Sequence, residues 1–210
     1  MRRTNPTLEL APEQVQAMVT HEETDMTGKK ILIVKGSPRE QGNSAILADK
    51  VAEGAKEAGA YVESYYLHGL DIGPCDACDA CHTEPYGGCV VSDDMQLLYP
   101  RILDADAIVM ASPVYWFTVS AQTKLFMDRC YALVDSDGYL LRGKQVGIVM
   151  TYGDSDPFGS GAVNAFRTFQ DAYKYVGAEI VDMVDASADA AGDIRENAEV
   201  IAQAYALGQK

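Results

Sequence analysis

Four of the five cysteines in this chain lie within fifteen consecutive residues, and their spacing is one that binds metal. Two residues separate each of the first three, and seven residues precede the fourth; they are Cys75, Cys78, Cys81 and Cys89. Structural cysteines normally occur singly within a core, so this crowding needs another explanation. Thiolates at C-x2-C-x2-C spacing bind one face of a compact cation or an iron–sulfur cube, and a later cysteine supplies the remaining ligand. The spacing therefore predicts an electron-transfer centre.

Other chemistries of the same cysteines stay open. Zinc accepts four thiolates, although zinc ribbons arrange theirs as two separate C-x2-C pairs. Cys78-x-x-Cys81-His82 has the form of a c-type haem attachment site, but that interpretation leaves Cys75 and Cys89 without a role. Reduced thiols in a protein that binds no metal are the third alternative.

A segment rich in glycine, serine and asparagine joins the first predicted strand to the first predicted helix. It reads Gly36-Ser-Pro-Arg-Glu-Gln-Gly-Asn-Ser44. Glycines let the backbone approach an anion, and Ser37, Asn43 and Ser44 add side-chain donors beside a helix N-terminus. The segment lacks the Lys-Ser/Thr of a P-loop and the G-x-G-x-x-G of a dinucleotide fold. It predicts a phosphate site, with an ordinary strand–helix turn as the alternative.

Three consecutive aromatic residues follow the third predicted strand. Their segment, Ser112-Pro-Val-Tyr-Trp-Phe117, includes the only tryptophan of the chain. A planar ring system could lie against such a loop, with backbone groups meeting its polar rim. The alternative is that Tyr115, Trp116 and Phe117 pack in a core or at a subunit interface, where aromatic residues are common.

Residues of the helix that follows are interpreted as structural. Lys124, Asp128 and Arg129 are expected to form an ion-paired helix segment rather than catalytic groups. Cys130 shares an apolar face with Phe126 and is expected in the core. No Ser-His-Asp or Cys-His arrangement for acyl transfer is evident.

The charge balance excludes some classes of partner. The chain has 17 Lys and Arg against 31 Asp and Glu, a net charge of −14. Nucleic acids and anionic membranes require a basic face, so neither is expected as a partner. No apolar run approaches the length of a membrane span, and the residues after Arg2-Arg3 do not resemble a signal peptide. A cytoplasmic protein is expected, where clustered cysteines more often bind metal than form disulfides.

Apolar runs that alternate with helical periodicity predict the fold. Strands are expected at residues 31–34, 60–67, 107–110, 145–150 and 179–184. Helices are expected at residues 44–58, from 92–94 onward with a capping box between Asp93 and Gln96, and at 119–134, 162–176 and 193–206. The pattern predicts a flavodoxin-like, doubly wound α/β domain at residues 29–210, with five parallel strands in the order 2-1-3-4-5. Residues 1–28 are interpreted as an N-terminal extension, either an arm or a loose terminus.

The unusual segments all follow strands, and loops after parallel strands share one edge of a sheet, where ligands bind. They resemble a known family in combination. Gly36-Ser-Pro-Arg-x-x-Gly-Asn-Ser, the cysteine run, Asp93-Asp-Met, Ser112-Pro-Val-Tyr-Trp and Lys124-Leu-Phe-Met-Asp-Arg129 occur together in NADPH-dependent FMN reductase-like flavoproteins. The cysteine spacing is similar to that of the iron–sulfur flavoprotein branch.

This resemblance implies one FMN per chain, a [4Fe–4S] cluster near it and a homo-oligomer, either a dimer or a tetramer. The FMN phosphate would bind at Ser37, Arg39, Asn43 and Ser44. The isoalloxazine would lie along Pro113, Val114, Tyr115, Trp116 and Phe117, touched also by Thr151, Tyr152, Gly153 and Asp154. The cluster ligands would be Cys75, Cys78, Cys81 and Cys89.

The expected function is an FMN-dependent oxidoreductase that passes electrons between the cluster and FMN. NAD(P)H or a ferredoxin would be the donor and a small molecule the acceptor. A first alternative is a cluster-free NAD(P)H-dependent reductase of flavins, quinones or nitro compounds. A second is a non-catalytic electron carrier of flavodoxin type, and a third is a zinc-stabilised interaction domain without flavin.

Overall fold

The central sheet is built from the apolar runs that recur along the chain. The computed structural model describes residues 28–210, in which five long strands pair in parallel in the order β2-β1-β3-β7-β8. In chain order the strands are β1 (Lys30–Lys35), β2 (Tyr61–Tyr66), β3 (Ala107–Tyr115), β4 (Thr118–Val119), β5 (Val134–Asp135), β6 (Gly138–Tyr139), β7 (Gln145–Tyr152) and β8 (Glu179–Ser187). Counting only the long strands, the order is 2-1-3-4-5. The α/β fold with a parallel sheet is therefore confirmed.

Helices cover both faces of this sheet. They are α1 (Asn43–Glu57), α2 (Met95–Asp104), α3 (Ala121–Arg129), α4 (Ala162–Tyr175) and α5 (Ala198–Gly208). Side chains alternate between the two faces along a strand, so Leu32 and Val34 pack with α2, α3 and α4, while Ile33 packs with α1 and α5. The two apolar cores hold the strand ends in fixed positions.

The structure lengthens three strands beyond the predicted limits. β3 was expected to end at Met110 and reaches Tyr115, while β7 and β8 reach Tyr152 and Ser187. β3 continues because residues 111–113 pair in parallel with β7 and residues 114–115 pair with β4, which folds back as an antiparallel partner. Apolar patterning does not encode these backbone hydrogen bonds. The segment 112–115 is therefore strand and not loop.

Three predicted helix features are wrong. The closing helix expected at residues 193–206 begins at Ala198, after a separate 3-10 turn at Asp193–Glu196. The helix expected to reach residue 134 ends at Arg129, and a 3-10 turn, Cys130–Ala132, follows it. The capping box does not form: Asp93 Oδ1 accepts from the Met95 N–H at 3.0 Å. Gln96 instead donates to the carbonyl oxygens of Cys89 and Val91, at 2.8 and 2.7 Å. This glutamine thus anchors the end of the cysteine segment.

The N-terminal extension expected at residues 1–28 lies outside the described residues except for Gly28, and it stays a prediction. Within residues 28–210, every helix is too short or too polar to cross a membrane.

Candidate functional site

The segment after β1 forms a tight loop, in which position 42 leaves little room for a side chain. Ser37 is buried, and its Oγ accepts from the Arg39 N–H at 3.0 Å. A Cβ atom at Gly42 would lie 2.7 Å from that Oγ and 3.1 Å from the Arg39 carbonyl oxygen, so the Ser37 hydroxyl would have to move. The loop therefore brings Ser37 against the start of α1.

The first turn of α1 has the properties of an anion site. The Ser44 side chain is 1% exposed, and its Oγ has no hydrogen-bond partner. The first intrahelical bond runs from the Ile46 N–H to the Gly42 carbonyl at 3.0 Å, so the N–H groups before Ile46 point out of the helix without intrahelical acceptors. A phosphate here would meet those N–H groups, the positive end of the helix dipole and the Ser44 hydroxyl.

Asn43, expected to donate to the phosphate, uses its side chain elsewhere. Its Nδ2 donates to the carbonyl oxygens of Ala188 and Ala190, at 3.3 and 2.9 Å, and its Oδ1 accepts from the Gly192 N–H at 2.8 Å. The residue ties the loop after β8 to the phosphate loop, which leaves its backbone N–H for an anion.

Two guanidinium groups lie at this loop, of which the sequence indicated one. Arg39 is exposed within it. Arg195 comes from a 3-10 turn, Asp193–Glu196, and its Nη2 donates to Gln41 Oε1 at 3.0 Å. Arg195 could not be identified from local sequence patterns, because it lies more than 150 positions away from Gln41 along the chain.

The aromatic segment forms a two-residue hairpin between β3 and β4. Trp116 and Phe117 are its turn residues, with φ of +49° and +69°. Positive φ at both positions is the geometry that normally selects Asn-Gly, and it strains side-chain-bearing residues. Trp116 is 92% exposed and Phe117 54% exposed. The hairpin therefore holds two large rings at the edge of the sheet at a cost in backbone energy.

Residues at the start of α4 pack against this hairpin. Asn164 Nδ2 donates to the Phe117 carbonyl at 3.1 Å. Gly161, at φ +77°, has no room for a side chain, because its Cβ would lie 2.6 Å from the Cα of Phe117. The hydrogen bond from Asn164 and the close packing that Gly161 allows thus offset part of the strain in the turn.

The ends of β3 and β7 lie side by side. Pro113 pairs with Thr151, whose side chain is buried. Tyr152 donates to Asp185 at 2.9 Å; burial and this carboxylate raise the pKa of Tyr152 to about 12. Asp154 accepts from the Asp156 N–H at 3.2 Å, which is an ordinary turn contact.

Buried hydroxyls that the sequence did not single out join the phosphate loop to the hairpin. Ser120 Oγ donates to the Gly36 carbonyl at 2.7 Å and lies 2.9 Å from Thr123 Oγ1. The Ser120 N–H donates to Ser112 Oγ at 3.1 Å. All three hydroxyl side chains are fully buried. In the sequence, the S-x-x-T pattern of Ser120 and Thr123 at the start of α3 could have indicated this network.

The four clustered cysteines line one small cavity, together with residues from the end of α3. Cys75 and Cys78 are exposed, Cys89 is half-buried and Cys81 is buried. Burial raises the pKa of the Cys81 thiol. No three His, Cys, Asp or Glu side chains in the described chain are gathered closely enough to hold a metal ion.

One residue that lines this cysteine cavity, Arg129, belongs to a buried ion pair. Arg129 is 1% exposed and pairs with Asp93 through both guanidinium ends. The same guanidinium donates to the Gly73 carbonyl at 3.1 Å and to Cys89 Sγ at 3.4 Å. The expected pair between Lys124 and Asp128 is present at 2.5 Å. Arg129 is also ion-paired, as expected, but its partner Asp93 lies outside that helix.

Charge and hydrogen bonding set Cys89 apart from the other cysteines. Burial alone would raise the pKa of its thiol. The Val91 N–H and the side chains of Tyr99 and Arg129 outweigh burial, so the pKa lies below its ordinary value. Cys89 is thus the cysteine of this cavity in which hydrogen bonds and a buried cation favour the thiolate.

Comparison with known proteins is consistent with this geometry. The family model described as NADPH-dependent FMN reductase matches residues 29–187. An iron–sulfur flavoprotein of Archaeoglobus fulgidus is 41% identical over 125 residues, which are 59% of this chain and 61% of that protein. A putative NAD(P)H-dependent FMN-containing oxidoreductase of Bacillus subtilis is 25% identical over 182 residues, 85% of this chain and 96% of that protein. The chain spans about three fifths of the length of the iron–sulfur flavoproteins that it matches.

A solved structure shows the same fold. The NAD(P)H:quinone oxidoreductase from Methanothermobacter marburgensis superposes with a TM-score of 0.66 at 18% identity, covering 87% of this chain and 98% of that one. The family model covers most of the described residues, including the phosphate loop and the aromatic hairpin, and the chain therefore belongs to the NADPH-dependent FMN reductase family.

Proposed function

We propose that this protein is an FMN-dependent oxidoreductase whose phosphate loop and aromatic hairpin bind the flavin. The single observation that carries the proposal is the buried, unpartnered hydroxyl of Ser44 in the first turn of α1. A buried polar group without a partner is costly, and a phosphate oxygen would satisfy it. Bound FMN would supply hydride and single-electron chemistry.

Each part of the edge has a distinct task in this proposal. The N–H groups at the start of α1, with Ser37 and Ser44, hold the phosphate, and Arg39 adds positive charge. Pro113, Val114 and Tyr115 lie along the flavin from β3, and Trp116 and Phe117 cover it from the hairpin. On the other side the flavin would meet the end of β7, at Thr151, Tyr152, Gly153 and Asp154.

We also propose that Cys75, Cys78, Cys81 and Cys89 bind a [4Fe–4S] cluster. Support comes from the donor set, since four thiols line one cavity, and from Arg129, which provides a cation and a donor to Cys89. The relatives named iron–sulfur flavoproteins support it further. Such a centre would exchange single electrons with the flavin, with NAD(P)H or a ferredoxin as donor and a small molecule as acceptor.

The test is to assay iron, acid-labile sulfide, zinc and FMN per chain after anaerobic purification. Four irons and four sulfides beside one FMN are expected. Cys78→Ala should abolish iron and leave FMN bound, whereas Cys130→Ala, outside the cysteine cavity, should keep both. Iron retained in Cys78→Ala would overturn the cluster assignment.

A second candidate function is a cluster-free NAD(P)H-dependent reductase. It is favoured by the separation of the cysteine side chains, two of which are exposed. FMN without iron after anaerobic reconstitution, together with bleaching of the flavin by NADPH, would establish this alternative.

Ser44→Ala tests the phosphate site directly. The affinity for FMN is expected to fall by about 10- to 100-fold, the loss of one hydrogen bond to a charged group. The flavin-free variant should be at least as stable as the wild type, because the hydroxyl has no partner to lose. Urea unfolding and FMN titration measure the two effects, with Ser64→Ala at an exposed position of β2 as the control. Unchanged FMN affinity would contradict the placement of the phosphate.

A further inference from the structure

A second cavity, of about 490 Å³, lies outside both the flavin edge and the cysteine cavity. It is formed by the carboxyl-terminal parts of α3 and α4, by Tyr139 of β6 with Leu141, and by part of the cysteine segment. We call it the tyrosine cavity, since its lining includes Tyr131, Tyr139, Tyr173 and Tyr175, with Met127 and Leu141. Sites for small molecules have volumes of about 300–1,000 Å³ and mainly apolar walls.

The walls of the tyrosine cavity suit a flat aromatic ring. The Tyr139 and Tyr175 rings lie 5.4 Å apart, and His82 stacks on Tyr131 at 3.9 Å with 16° between the ring planes. Burial and the neighbouring Tyr175 raise the pKa of Tyr139 to about 12, so its phenol stays a neutral donor. His82 covers one face of Tyr131, whereas the largely exposed Tyr175 ring leaves a face for an aromatic ligand.

The charged groups that line this cavity are carboxylates. They are Asp79 and Asp128, and the chain as a whole carries a net charge of −14. Asp128 is already paired with Lys124, so Asp79 is the carboxylate that disfavours a negatively charged ligand here.

Four residues form a common wall between the tyrosine cavity and the cysteine cavity; they are Cys75, Asp79, Asp128 and Tyr131. The Tyr131 hydroxyl donates to Asp79 Oδ1 at 3.2 Å, and the Tyr131 carbonyl lies 2.9 Å from His82 Nε2. Ala77 and Asp79 have φ of +51° and +57°. Such strained backbone conformations of non-glycine residues are typical of functional sites.

We propose that the tyrosine cavity binds a small planar aromatic compound without negative charge and holds it against Cys75. The site does not depend on FMN or on a cluster, so its test is separate from that of the proposed function. The proposed occupant is a free small molecule, because the cavity has the volume of a small-molecule site, a mainly apolar lining and phenol groups at its open side.

The experiment uses the full chain as purified and two matched probes, neutral 2-naphthalenemethanol and anionic 2-naphthoate. Calorimetry is expected to show one neutral molecule per chain, with the naphthoate bound at least tenfold more weakly. Ala172→Trp fills the cavity from α4 and should weaken the neutral probe by at least tenfold. Lys174→Trp places the same ring on the exposed face of α4 and should change binding less than twofold.

Two further readouts keep the test decisive. The exposed Tyr175→Ala removes one wall without entering the core and should also weaken binding. In chains free of iron, the neutral probe should slow alkylation of Cys75 several-fold relative to Cys78, which lines only the cysteine cavity. Absence of binding, equal binding by Ala172→Trp, or a cavity closed by a second copy, seen as dissociation of an oligomer by Ala172→Trp, would overturn the proposal.

Discussion

Replacing Arg129 by methionine is expected to lower the free energy of unfolding by about 3–5 kcal/mol, because it leaves the buried Asp93 carboxylate without its cation. The side chains of this pair are 0% and 7% exposed. Methionine fills much of the arginine volume, so the loss reflects charge rather than packing. Urea unfolding of the iron-free protein measures it.

Lys124→Met is the matched control. Its pair with Asp128 joins side chains that are 54% and 46% exposed, so the cost should stay below about 1 kcal/mol. A loss in Arg129→Met no larger than in this control would contradict the account of the buried pair.

The pH dependence of the same variant follows from Asp93. Burial alone would raise the pKa of Asp93, but Arg129 and the N–H groups of Gly73 and Met95 hold it below its ordinary value. Because the folded-state pKa of Asp93 is lowered, its ionised carboxylate stabilises the wild type above about pH 4. This stabilisation is lost as the pH falls through the folded-state pKa. Without Arg129, burial raises the pKa of Asp93. Protonation of Asp93 at acidic pH then removes the unpaired buried charge. The stability difference between variant and wild type should therefore narrow as the pH falls toward 4.

Gly36→Ala is expected to cost about 1–3 kcal/mol of stability and to abolish tight FMN binding. A Cβ at this position would lie 1.9 Å from Thr123 Oγ1 and 3.1 Å from Ser120 Oγ. The hydroxyl network beneath the phosphate loop would have to move, and the loop would move with it. Urea unfolding and FMN titration report the two losses.

Thr123→Ala offers a partial rescue, because it removes the atom that clashes. The double variant should recover part of the stability and flavin affinity lost in Gly36→Ala, which a double-mutant cycle measures. Gly87→Ala, where the nearest atom lies 3.7 Å away, should behave as the wild type. Full FMN affinity in Gly36→Ala would contradict the proposed role of the network.

Local patterns were enough to predict the sheet, its helices and the segments at the candidate site. Apolar runs such as Ile31 to Val34 are encoded by neighbouring residues. The extension of β3 was missed because it depends on pairing with β7 and β4. The partners of Asn43 and Arg195 were missed because they are remote in sequence.

Arg129 shows where a stronger reading of the sequence was possible. It lies three positions after Phe126, which is on the buried face of α3, so helical spacing alone placed it toward the core. Its partner Asp93 is 36 positions away. The tertiary structure decides which carboxylate pairs with Arg129, and local sequence patterns do not indicate it.

The hairpin at Trp116 and Phe117 constrains how this protein can evolve. Each turn residue is held in a backbone conformation that costs about 1–3 kcal/mol, and Asn-Gly would occupy the same turn without that cost. A lineage released from the need for an aromatic tip would therefore gain stability by drifting to Asn-Gly. Retention of bulky rings in descendants would mark continuing selection for their function, and a more stable Asn-Gly descendant would mark its loss.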